Sequence, residues 1–121
     1  MRRTRVTNPA TGTVIAEQAQ VATGLWSRFW GLMGRRELPP GSGILIAPCS
    51  SIHMFFMRFP IDVVFLDRDD MVVKIVHSIR PWRLAMGGGG KKALELPAGT
   101  AIAVHITEGD QLAFEDPAAP G

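Results

Sequence analysis

Residues 61–79, IDVVFLDRDDMVVKIVHSI, set two runs rich in Val, Ile and Phe on either side of Asp67-Arg68-Asp69-Asp70. Such runs, bounded by a polar cluster of turn-forming residues, read as two strands of a hairpin. A four-residue loop over 67–70 predicts pairing of Leu66 with Met71, Val64 with Val73 and Asp62 with Ile75, with all six side chains on one face of the sheet. The other face then carries Ile61, Val63, Phe65, Val72, Lys74 and Val76. Both faces are largely apolar, so the hairpin belongs inside a sheet covered on two sides, and Asp62 has no evident solvent side. A carboxylate buried there needs a partner or a pocket. One reading makes Asp62 a structural clamp that accepts backbone N–H bonds or pairs with an arginine. The other places it in a cleft beside Arg28, Arg58 or Arg80.

Upstream, residues 3–7 and 13–21 are short runs of Val, Thr and Ile around Asn8-Pro9-Ala10-Thr11-Gly12, which predicts an N-terminal hairpin. Thr23 can cap a short helix over Gly24 to Met33, where Leu25, Phe29 and Leu32 recur at helical spacing. After the break GRRELPPGSG, the segments GILIA, SIHMFFM, IDVVFL, MVVKIVHSI, ALEL, AIAVHI and QLAFE all read as strands. Many short strands and one helix predict an all-β fold, a compact β-barrel or jelly-roll-like sandwich with one short α-helix. The expected organisation is a single β domain over 1–116 with a frayed tail over 117–121.

The 121 residues include one cysteine, Cys49, so no internal disulfide is possible and a reducing compartment is permitted. The basic start MRRTRVTNPATG is followed by no apolar core of signal-peptide length, and no run approaches a membrane span. A soluble, cytoplasmic protein is expected. Thirteen Lys and Arg against eleven Asp and Glu give a net charge of +2, and the basic residues are scattered along the chain. That pattern predicts neither a nucleic-acid nor a membrane partner.

The polar residues within apolar runs are the candidates for chemistry. Cys49 and His53 share the parity of one strand face but would stand about 13 Å apart in an extended chain. A thiol–imidazole dyad therefore needs a fold-back at Pro48 to Ser51, and a small buried thiol is the plainer reading. His53, flanked by Ile52, Met54, Phe55 and Phe56, must have both ring nitrogens accounted for. His53, His77 and His105 fall on separate expected strands without ligand spacing, so no metal and no cofactor is expected. Trp82, between Arg80 and Arg83, can stack a planar ligand or be covered by arginine stems.

The phrases GLMGRRELPPGSGILI, SIHMFFMRFPIDVVFLD, IRPW, LELPAGT and EGD, in this order, resemble the domain-of-unknown-function 192 family of small prokaryotic proteins. The likeness runs from about Leu25 to Leu112. It implies an all-β, barrel or jelly-roll-like fold of this length and brings no established activity, substrate or cofactor. The family's polar positions fall on Arg28, His53, Asp62, Glu95 and Asp110, and two departures show at Met54 and Met71, where a threonine and a glycine are usual. The leading expectation is a module binding a small molecule or a protein, with a cleft near the short helix lined by Arg28, His53, Arg58, Asp62, Trp82 and Glu95. The alternative is a small enzyme using His53 and Asp62 as an acid/base pair on an anionic substrate.

Overall fold

The N-terminal hairpin forms where its turn residues place it. The Asn8 carbonyl accepts the N–H groups of Thr11 and Gly12, and the Asn8 side chain accepts that of Ala10. This joins β1 (Arg3–Asn8) to β2 (Thr13–Ala22). The computed structural model describes residues 3–22, 38–49, 51–53 as backbone, and 59–115. The expected helix over 24–33, together with Arg28 and Arg58, lies outside them.

Downstream follow β3 (Ser42–Ile46), β4 (Ser51–His53), β5 (Ile61–Leu66), β6 (Val72–Ile79), β7 (Leu84–Met86), β8 (Lys92–Pro97) and β9 (Ala113–Glu115). Seven of these form one mixed sheet in the order β6-β5-β8-β3-β2-β1-β9, in which β2 and β3 run parallel and the other pairs antiparallel. The sheet curls into a half-barrel, so the fold is all-β. β4 and β7 form a separate two-stranded ribbon.

Side chains alternate between two cores. Ile61, Val63 and Phe65 of β5 join Ile44, Ile46, Ala93 and Ala85 in one, so the β7 ribbon covers that face. Val64 and Leu66 join Leu45, Leu94, Leu96, Val6 and Ala101 in the other. Coverage on both sides explains why β5 is buried at every position.

The β5–β6 register corrects the expected one. Val64 pairs with Ile75 and Phe65 with Lys74, whereas Leu66 pairs with Val72, so Val73 is an extra residue on β6. A second irregularity falls between the Ile61–Ile79 and Val63–Val76 pairs, leaving His77 and Ser78 opposite Asp62. Each bulge adds a residue to one strand and bends it. Val72 thereby turns to the face of Leu66, and Val73 to the face of Phe65.

The segment AIAVHI is also corrected, from strand to a short helix, α1 (Thr100–Ala103). Gly99 enters it with φ 88°, a left-handed conformation open to glycine. His105 leaves it with φ 57°, while the N–H groups of His105 and Ile106 donate to the carbonyls of Ile102 and Ala101. That is the paired bonding of a Schellman ending, with histidine where glycine is usual.

The two edge strands of the half-barrel meet at one corner. Met71 bridges Gln111, and the N–H groups of Val72, Gly109 and Leu112 donate to the carbonyls of Asp110, Val72 and Asp70 at 2.8, 2.8 and 3.0 Å. Asp110 supports the corner by accepting from Thr107 N at 2.9 Å and from Asn8 Nδ2 at 3.4 Å.

Candidate functional site

Two buried carboxyls sit on neighbouring central strands and have opposite environments. Asp62 is fully buried. Its Oδ1 accepts the Ser78 N–H at 2.8 Å, and its Oδ2 accepts the Ala101 N–H at 2.9 Å. The bulge opposite Asp62 sets up the first bond, because Ser78 stands at φ 48°. The second satisfies an N–H in the first turn of α1, whose own cap residue, Gly99, makes no side-chain bond. Of the two readings of Asp62, the geometry has the features of the clamp.

Glu95 of β8 pairs with Ile44 on one side and Val63 on the other, both members of the first core. It therefore faces away from Asp62, whose partner Ala101 lies in the second core. Glu95 is only 5 % exposed, and its Oε2 is buried without a hydrogen-bond partner. Burial lifts this carboxyl from an ordinary 4.5 to about 8, so it is mostly protonated at neutral pH.

Strand alternation thus sends Asp62 and Glu95, two residues of the expected cleft, to opposite faces of the sheet. His53 lies in β4, in register with Leu84, on the ribbon that covers the Glu95 face. That puts its strand on the far side of the sheet from Asp62, and the proposed acid/base pair gains no support. Trp82 is 60 % exposed and occupies a surface turn. Arg28 and Arg58 lie outside the described residues. Among the described residues, no group of His, Cys, Asp and Glu could hold a metal ion. Likewise, no helix among them is long and apolar enough to cross a membrane.

Sequence reasoning offered backbone N–H groups as one kind of partner for Asp62 without naming the two that hold it. Such groups carry no residue signature. It also missed the apolar exposure of Leu84 and Met86 on β7, a three-residue strand set between Arg-Pro-Trp-Arg and four glycines that read as loop.

The family model for DUF192, described as an uncharacterized ACR, matches residues 6–114. The chain belongs to the DUF192 family. Similar proteins include the UPF0127 protein of Thermococcus sibiricus, 35% identical over 117 residues, which are 89% of this chain and 73% of the relative. A UPF0127 protein of Pyrococcus furiosus is 32% identical over 111 residues, 87% of this chain and 93% of the relative. Two solved structures have a similar fold. One, from Sinorhizobium meliloti 1021, is described as a candidate transcription regulator; its TM-score is 0.80 at 25% identity, over 93% of this chain and 92% of that one. The other, a protein of unknown function from Novosphingobium aromaticivorans, has a TM-score of 0.75 at 25% identity, over 92% and 83% of the two chains.

Proposed function

We propose that the protein is a binding module for a small polar molecule, with its site on the Glu95 face of the sheet beneath the β4–β7 ribbon. The observation that carries this reading is Glu95 itself: a buried carboxyl on an apolar wall, with one oxygen lacking a partner. A group left in that state destabilises the fold. Binding pockets pair an apolar lining with a few such groups, which fix the ligand's orientation. A protonated carboxyl offers one donor and one acceptor, the complement of an amide or an alcohol. A cytoplasmic site of action, which the lone cysteine permits, belongs to the same proposal.

The Sinorhizobium neighbour raises a nucleic-acid reading, against which the small net charge of +2 speaks. The test is a thermal-shift screen of small amides, alcohols and amines on the wild type and on Glu95→Leu. Compounds that raise the midpoint of the wild type alone support the reading, through the linkage between binding and stability. No shift in either protein, or equal shifts in both, would overturn it.

A further inference from the structure

From Met71 to Leu94 the chain carries five basic residues, Lys74, Arg80, Arg83, Lys91 and Lys92, and no Asp or Glu. Lys92 is engaged with Asp70 at 2.7 Å. Arg80 and Arg83 are brought together by a tight turn, in which the Arg83 N–H donates to the Arg80 carbonyl at 3.3 Å. Pro81 and Trp82 fill its central positions. A proline followed by a residue at positive φ defines a type II turn, whose second central position favours glycine or asparagine. Here Trp82 takes it at φ 68°, a strained placement for a bulky side chain, and is 60 % exposed.

β7 continues the feature. Leu84 and Met86 are 63 % and 61 % exposed, on either side of the buried Ala85. Lys74 donates its Nζ to the Met86 carbonyl at 2.8 Å, which brings a third cation to the apolar stripe. The basic residues look scattered along the sequence, and no membrane partner is expected from that scatter. The fold gathers three of them around three outward apolar side chains.

We propose that residues 80–86 dock the protein peripherally on an anionic lipid surface. Trp82, Leu84 and Met86 enter the interface, and Arg80, Arg83 and Lys74 meet the headgroup phosphates. Charge complementarity selects an anionic surface. Tryptophan with aliphatic neighbours and a cationic border is the composition that sits at the boundary between headgroups and acyl chains. These side chains stand out from a turn and a ribbon rather than line a groove, and a fluid interface accepts them without a shaped complement.

The test is co-sedimentation of the full chain with vesicles of phosphatidylcholine plus phosphatidylglycerol, beside vesicles of phosphatidylcholine alone, at low and high salt. Variants are Arg80→Glu with Arg83→Glu, Leu84→Ser with Met86→Ser, and Trp82→Phe. The side chains substituted in the two double variants are exposed, so each of these should keep its unfolding midpoint, which is checked for all three variants. The expected result is salt-sensitive binding to the anionic vesicles only, weakened about tenfold or more by each double variant. A blue shift of tryptophan emission on binding should shrink in Trp82→Phe. Absence of binding, or binding that the double variants leave unchanged, would overturn the proposal. So would capture by immobilised polyglutamate without vesicle binding, which would assign the surface to an acidic protein.

Discussion

The carboxylate of Asp62 in β5 holds the backbone N–H of Ala101 in α1, 39 residues further along the chain, at 2.9 Å. One side chain thus stitches the centre of the sheet to the short helix, and through its other oxygen to the bulge at Ser78.

Asp62→Asn keeps the shape but turns an amide NH2 toward one of two backbone donors, losing that bond and opposing N–H to N–H. The expected destabilisation is about 2–4 kcal/mol, since bonds to a charged group are worth roughly twice neutral ones and an orphaned buried donor adds its own penalty. Urea unfolding at neutral pH measures it. A change within experimental error would show that the clamp is dispensable.

Glu95 makes stability fall as pH rises. Its folded value, about 8, stands above the ordinary 4.5, so between these values the folded state holds a proton that the unfolded state has released. Across that window the wild type loses up to about 1.4 kcal/mol per pH unit relative to Glu95→Gln. Below 4.5 the difference is constant, and above about 8 the full penalty is present. Parallel unfolding curves of the two proteins across the window would contradict this.

Gly43 allows β3 to approach β8 closely. A Cβ at this position would stand 2.9 Å from the Glu95 carbonyl oxygen and 3.1 Å from a Leu96 methyl, and a backbone oxygen cannot swing away. Gly43→Ala is expected to cost about 1–3 kcal/mol, the range of overpacked cores. A lowered urea midpoint with an unchanged slope would identify a stability loss without a change of fold.

The corner joining the two sheet edges should open before the rest. Asp110→Ala removes the acceptor for Thr107 and Asn8, and is expected to destabilise the protein by about 1–2 kcal/mol. Its signature is local. Amide exchange should quicken most at Val72, Gly109 and Leu112, whose N–H groups form the corner, and least in β5 and β8. Uniform acceleration would mean that the corner opens only with the whole sheet.

Much of this fold is legible in sequence where chemistry is local. Asn8 to Gly12 declare a turn, and β5 declares its double-sided burial by being apolar at all but one position. What the sequence hides is set at a distance. The alternation of Ala101-Ile102-Ala103-Val104 suits a strand, yet the left-handed entry at Gly99 and the bond from Asp62 hold its start in a helix. The β5–β6 register slips because bulges at Val73 and at His77–Ser78 each absorb a residue, and nothing in those residue types announces a bulge. For the site, Asp62 and Glu95 are both visible as carboxylates within apolar strands. Their assignment to opposite faces depends on cross-strand pairing with Leu96 and Val63, which appears only once the strands are assembled.

The pairing of β1 with β9 has a consequence for biosynthesis. Residues 5–7 are made before residues 113–115 and must wait for them before their outer edge is covered. Until then β1 can pair only with β2, and a bare strand edge can recruit neighbouring nascent chains. The cell sees this sheet complete only once residues 113–115 have been made, so a translational stall between β8 and β9 would release a protein with its core largely built and one flank open.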